Sequence, residues 1–427
     1  MKKILLIWLS LLLGFNAAAK TVIHAGYLID GSNDIPMNEM SIYVVDNKIS
    51  EVLTGYMEPE PDDEYIDLSG YTVLPGLIDM HVHLTSNQSS TNRYSESSSL
   101  NPADYAIRSV NNAKKTLLAG FTTVRNLGDS DAVTVSLRNE IVKGTVPGPR
   151  IFTAGKSIAS TGGHADDTNS LSKKLSSDPG PMNGIINSSD DAYKAVRHRY
   201  KEGADLIKIT ATGGVLSNAK NGQNPQMTEE EIRSIVDAAK DYGFKVAAHA
   251  HGSEGIIRAV KAGVDSIEHG TLMDAEGMSL MRKEGTYYVP TLLAGAWVAE
   301  KALIDDYYPP FVQTKALEIG PQLISTFSKA YQAGIKIAFG TDSGVTPHGD
   351  NAKEFKLMVD AGMTTKEAIL TATLNASILL GEQENLGSIS KGKLADIIAV
   401  SGNPLEDITN LESVDFVMKD GNVVKKP

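Results

Sequence analysis

The chain contains nine histidines. His81, His83, His249, His251 and His269 fall at or just past the ends of segments that read as strands, and His164 lies in the loop after another such segment. Histidines scattered for solvation or packing would not sort in this way. His81 and His83 follow the apolar run Pro75-Gly-Leu-Ile-Asp-Met. In extended chain, residues two apart point to the same side, so both imidazoles can grip one ion. His249, in Val246-Ala-Ala-His-Ala-His251-Gly, and His269, in Ser266-Ile-Glu-His-Gly, end consecutive strands and can converge. Asp342, in Ala338-Phe-Gly-Thr-Asp-Ser-Gly, ends the last strand of the series. A carboxylate there can bind a metal and also accept a proton from water.

Lys208 stands in Ala204-Asp-Leu-Ile-Lys-Ile-Thr, an otherwise apolar strand. A charged, unpaired ammonium is costly in such a place. One resolution is a buried salt bridge. The other is a neutral amine that adds carbon dioxide and becomes a carbamate, a carboxylate able to bridge two ions. These nitrogen and oxygen donors, without sulfur, suit two divalent metals, zinc foremost. Two such ions about 3.5–4 Å apart lower the pKa of water and polarise a carbonyl.

The elements that must hold these residues alternate. Strand-like runs are expected at Leu77 to His81, Thr122 to Asn126, Arg150 to Ala154, Leu206 to Ile209, Lys245 to His249, Val264 to His269, Tyr287 to Thr291 and Ile335 to Thr341. Between them lie helical patterns such as Ala103 to Ala119, Asp190 to Glu202, Glu229 to Tyr242 and Pro321 to Ala333. This rhythm predicts an α/β fold, a (β/α)8 TIM barrel over 76–380, with chemistry on the loops after the strands. Segments 20–75 and 381–427 read instead as short antiparallel strands with Asp-Asn and Asp-Gly turns, and are expected to pair into one small β-sandwich. Two long loops, Thr85 to Leu100 and about 155–189, belong to the active-site face and suit lids or substrate walls.

Residues 1–19 combine Lys2 and Lys3, an apolar run from Ile4 to Phe15 and Ala17-Ala18-Ala19. That is the pattern of a secretory signal peptide cleaved before Lys20, giving an exported, periplasmic or secreted protein without stable membrane insertion. The chain has no cysteine, which suits an oxidising compartment and rules out a disulfide framework. A formal charge of −12 with no basic cluster argues against nucleic acid as a partner. A small molecule or dipeptide is the expected partner, and a homo-oligomer is compatible with everything above.

Taken in order, P-G-L-I-D-M-H-V-H, Lys208, H-A-H-G, E-H-G, G-T-D and the tail Gly387-Ser-Ile-Ser-Lys-Gly-Lys-Leu-Ala-Asp-Ile-Ile resemble the metal-dependent amidohydrolase superfamily over nearly the whole chain after residue 19. The resemblance implies that His81, His83 and Asp342 hold one metal and His249 and His269 the other. Carbamylated Lys208 would bridge them, and Asp342 would be the catalytic acid/base. Thr161-Gly-Gly-His-Ala-Asp, Lys208-Ile-Thr-Ala-Thr-Gly-Gly-Val and His249-Ala-His-Gly are similar to the branch once called prolidases, exported dipeptidases and carboxypeptidases. That branch also contains ochratoxin- and carbamate-cleaving enzymes and is similar to imidazolonepropionases. The implied reaction is cleavage of the amide bond of a dipeptide or N-acyl amino acid. The alternatives are a cyclic amide, carbamate or lactone on the same site, or a non-catalytic envelope binder. His164, His251 and Arg125 are candidate substrate contacts. Arg125 has an ion pair within its strand as the competing role, and His251 the orienting of a ligand.

Overall fold

The computed structural model describes residues 20–427 apart from 33–34, 88–95, 97–98, 173 and 218–221. The expected signal peptide and most of the Thr85 to Leu100 loop therefore lie outside the described residues.

Four strands open the chain: β1 (Thr21–Leu28), β2 (Met37–Val45), β3 (Lys48–Thr54) and β4 (Glu64–Pro75). Barrel strands follow as β5 (Leu77–Val82), β6 (Phe121–Asn126) and β7 (Arg150–Thr153). Two short pieces, β8 (Ala159–Ser160) and β9 (Ile185–Ile186), precede β10 (Ile207–Thr210), β11 (Val246–Gly252), β12 (Ser266–Leu272) and β13 (Tyr287–Val289). The chain ends with β14 (Ile397–Val400), β15 (Val414–Lys419) and β16 (Asn422–Lys425).

β5-β6-β7 and β10-β11-β12-β13 form two parallel ladders, each strand followed by helix. Two irregular segments join them into a barrel. Ile158 donates to the Lys208 carbonyl (2.8 Å) and accepts from the Thr210 N–H (3.0 Å). On the other side the eighth segment, expected as a strand over Ile335 to Thr341, makes isolated bridges rather than a continuous ladder. Tyr288 pairs with Ile337, Met80 N–H donates to the Phe339 carbonyl (2.9 Å), and Asp342 N–H to the His81 carbonyl (2.7 Å). Gly340 allows this approach, because a Cβ there would lie 2.3 Å from Val289 Cγ1 and 3.1 Å from His81 Cβ.

The helices carry the signals that place them. Helix Glu229–Asp241 starts at Thr228, whose hydroxyl accepts from Glu231 N–H while the Glu231 carboxylate reaches back to the Thr228 N–H. That reciprocal pair satisfies two donors an isolated helix end leaves unpaired. Its buried stripe of Ile232, Ile235, Val236 and Ala239 faces the barrel.

The terminal segments form one seven-stranded sheet in the order β16-β15-β14-β4-β1-β2-β3. The strands are not all antiparallel as expected, for β1 runs parallel to β4 over Thr21↔Glu64 to Leu28↔Val73. The sheet folds over a core that brings Ile42, Val44 and Ile49 together with Ile397, Phe416 and Met418. Thus the sandwich is a single sheet closing on itself, with an antiparallel bridge between Lys48 and Leu394. No helix among the described residues is long and apolar enough to cross a membrane.

Candidate active site

The parallel registers bring the functional strand ends to one level. Thr210 lies beside His249 and Ala250 beside His269, while Val82 bridges to Ser343 next to Asp342. His81, His83, Lys208, His249, His251, His269, His164 and Asp342 line one cavity of about 250 Å³. The predicted cluster is thus gathered, with one exception.

That exception is Arg125, which does not line the cavity. Its guanidinium is buried behind His81, donating to the Met80 carbonyl (2.6 Å), Ser266 Oγ (3.1 Å) and Glu268 Oε1 (2.8 Å). Of its two expected roles the structure gives it the ion pair rather than the substrate contact, since Nε, Nη1 and Nη2 all donate to groups inside the barrel and none lines the cavity. The partner it serves, Glu268, was not singled out in the sequence, although a glutamate in a barrel strand has to be paired for the same reason as Lys208.

His81, His83 and Asp342 offer ligand atoms that all lie within 4.8 Å of one another, enough to hold a metal ion. Asp342 Oδ1 is 3.2 Å from His83 Nε2 and 3.5 Å from His81 Nε2. The other ring nitrogens are tied down: His81 Nδ1 to Glu268 Oε2 (2.9 Å) and His83 Nδ1 to the Gly128 carbonyl (3.2 Å). An imidazole that donates from Nδ1 to an oxygen presents its Nε2 lone pair, the state a metal needs. His269 Nδ1 meets Thr291 Oγ1 and His251 Nδ1 meets Thr271 Oγ1, both at 2.8 Å. His249 is turned the other way, with Nε2 on the Gly213 carbonyl (3.1 Å), which leaves Nδ1 for a ligand. The His81, His83 and Asp342 donors therefore fit a metal ion in chemistry and in tautomer.

Electrostatics support the same states. Burial pushes the imidazoles down, His81 and His251 to about 4 and His164 to about 3, with Lys208 adding to it, so they are neutral near pH 7. Burial alone would raise Asp342, but the His81 and His83 imidazoles outweigh it and hold the carboxyl down to about 2. Glu268 is likewise held to about 2 against burial by Arg125 and His81. Burial lowers Lys208 to about 8, and its Nζ lies 3.4 Å from His81 Nε2.

His164 stacks on His249, the ring centroids 4.3 Å apart, and its backbone N–H donates to Gln226 Oε1 (2.8 Å). Gly214 seats it, for a Cβ there would lie 2.1 Å from the His164 ring. Further supports lie behind these ligands. Asp79 accepts from His81 N–H (3.0 Å), Thr341 Oγ1 (2.6 Å) and Asn351 Nδ2 (2.8 Å). Glu354 accepts from the N–H groups of Leu292 (2.8 Å) and Leu293 (2.6 Å), starting the helix that follows Thr291.

A parallel barrel with this ligand set at its strand ends defines a metal-dependent hydrolase of carbon–nitrogen bonds. Residues 72–424 match the amidohydrolase family, to which the chain belongs. Among solved structures it is similar to a Xaa-Pro dipeptidase with bound methionine in the active site (53% identity, TM-score 0.93, covering 95% of this chain and 100% of that one). It is also similar to a prolidase complexed with N-methylphosphonate-L-proline (32% identity, TM-score 0.88, covering 96% and 100%). Ochratoxinase of Aspergillus niger is 30% identical over 445 residues, 96% of this chain and 88% of that protein.

Proposed function

We propose that this enzyme hydrolyses the amide bond of dipeptides or N-acyl amino acids outside the cytoplasm, using two zinc ions held by His81, His83, His249, His269, Asp342 and a carbamate on Lys208. When bound, the ions supply an activated water and polarise the amide carbonyl. The Asp342 carboxylate would accept a proton from water and pass it to the departing nitrogen. The carbonyl carbon thereby gains oxygen and the C–N bond breaks with a neutral amine leaving. Glu268 keeps the proton of His81 on Nδ1, and Thr291 orients His269 in the same sense. The lowered pKa of Lys208 supports the carbamate, since only the neutral amine adds carbon dioxide.

The observation that carries the reading is the convergence of Asp342 with the Nε2 atoms of His81 and His83 in one cavity. The similar structures support the amide: one holds methionine and another a phosphonate of proline, both amino-acid-sized ligands. For the compartment, the support is Lys2, Lys3 and the apolar run before Ala17-Ala18-Ala19.

The test is turnover of a panel of dipeptides and N-acyl amino acids by metal-stripped enzyme reloaded with zinc. Restored hydrolysis of a linear amide supports the reading. Activity confined to lactams, carbamates or lactones overturns it, as does metal binding with no turnover.

A further inference from the structure

The cavity has two unlike sides. Its floor carries the histidines, Lys208 and Asp342, and one side continues through Ser86, Ser157 and His164. Another part of the lining is apolar: Val215, Leu216, Ala294, Val298, Ile319 and Leu323, of which Val215 and Leu216 pack on the cluster that holds Ala294 and Val298. Among the described lining residues, Asp342 and Lys208 are the only Asp, Glu, Lys or Arg side chains, and both sit at the floor.

This wall is braced from behind. Ala294 and Val298 pack in one cluster with Ala302, Val312, Ala316 and Val345. Lys315 donates to the carbonyls of Gly214 (2.9 Å) and Ser217 (2.8 Å), tying the Val215–Leu216 loop to the helix that carries Ile319. Gly295 lets the neighbouring helix come close, since a Cβ there would lie 2.7 Å from Leu323 Cδ2. A wall anchored at its loop and at its helices is a preformed subsite.

On the polar side the cavity shares Ser86 with a second, larger one of about 600 Å³. Charged groups line it, among them Asp129, Asp131, Lys156, Asp166 and Arg199.

From this asymmetry, and resting on the proposed amide hydrolysis, we infer that the enzyme selects substrates whose wall-facing residue has a large aliphatic or thioether side chain (Leu, Ile, Met) and rejects charged ones. Each methylene buried on the wall adds binding in proportion to the area removed from water. A lysine or aspartate side chain would be stripped of water against apolar side chains. The acids Asp166 and Asp167, which a sequence reading could assign to a basic side chain, do not line this cavity; both line the second one.

The experiment measures kcat/KM of zinc-loaded enzyme on Gly-Xaa and Xaa-Gly series with Xaa as Ala, Leu, Met, Lys and Asp. In at least one series Leu or Met should exceed Ala by roughly 50-fold, and Lys and Asp should fall at least about 100-fold below Leu. A preference for Lys or Asp, or a flat profile in both series, overturns the inference. Val298→Asp should invert the Leu:Lys ratio. Ala294→Phe, an apolar change that fills the space, should depress Leu and Met more than Ala. Unchanged ratios in folded variants, judged by circular dichroism, would remove this wall as the selector. Calorimetry of free L-leucine, L-methionine and L-lysine binding to the same enzyme separates the two claims. Apolar selectivity in binding without turnover of any amide sinks the proposed hydrolysis alone, whereas hydrolysis without apolar selectivity sinks the subsite alone.

Discussion

The two halves of the candidate ligand set are supported by different chemistry. At the junction of β5 with the eighth segment, buried carboxylates do the holding. Asp79 ties the His81 backbone to Thr341 and Asn351, and Glu268 fixes the His81 ring against Arg125. At β11 and β12 the supports are neutral: the Gly213 carbonyl behind His249 and the Thr291 hydroxyl behind His269. Hydrogen bonds to ionised groups are shorter and roughly twice as strong as neutral ones. The first half is thus the stiffer frame, and the second can yield as an ion comes and goes. Lys208 stands between them, 3.4 Å from His81 Nε2.

That placement makes Lys208 the residue whose loss should erase the comparison altogether. Lys208→Ala is expected to lose bound metal and at least on the order of 10³-fold in kcat/KM, with short carboxylic acids restoring part of both. Full metal content and turnover in Lys208→Arg would dismiss a bridging role, since a guanidinium cannot form a carbamate.

Disturbing the stiff half should cost stability as well as metal. Glu268→Gln leaves the Arg125 guanidinium buried without its counter-charge, which costs about 3–5 kcal/mol when one partner of a buried pair is removed. Denaturant unfolding of the metal-free protein measures this. A loss below about 1 kcal/mol would show that the frame does not depend on the pair.

In the softer half, Thr291→Val removes only the hydroxyl on His269 Nδ1. Loss of such a partner typically costs 10–100-fold in metal affinity. Chelator titration should then release one ion earlier while the other is held as in the parent. Equal weakening of both ions would abolish the distinction between the halves.

The smallest effect on metal binding is expected at Glu354. Its carboxylate accepts from Leu292 and Leu293 at the start of the helix that follows Thr291, so Glu354→Leu strands two buried N–H groups at about 1–3 kcal/mol each. The melting temperature should fall, and metal release should be faster from the softer half. An unchanged melting temperature would mean that the helix start is held by other contacts.

How much of this could be read in the sequence depended on distance along the chain. His81 and His83 declare themselves through a local spacing, and Lys208 through its apolar neighbours. Some barrel strands were legible to within a residue, as the expected Thr122 to Asn126 is Phe121–Asn126, whereas Lys245 to His249 ends three residues later at Gly252 and Ile335 to Thr341 makes only isolated bridges. Arg125 was left between a substrate contact and an ion pair because its partner is 143 residues away, and no local pattern distinguishes a cation facing the cavity from one facing a buried acid. Glu354 looks like an ordinary exposed residue of an amphipathic helix until the fold brings Leu292 to it. The parallel pairing of β1 with β4 was hidden for a related reason. Turn motifs report hairpins, whereas parallel neighbours are joined by long connections.

The central claim is that Asp342 moves a proton as well as holding a metal. It is tested most directly by Asp342→Asn in excess zinc, with metal content from elemental analysis beside steady-state kinetics on the best amide substrate. The amide oxygen can still coordinate but cannot shuttle a proton. The variant should therefore retain metal and substrate affinity while kcat falls by at least about 10². A fully metallated Asp342→Asn enzyme with near-normal kcat would contradict the account and leave Asp342 a ligand alone.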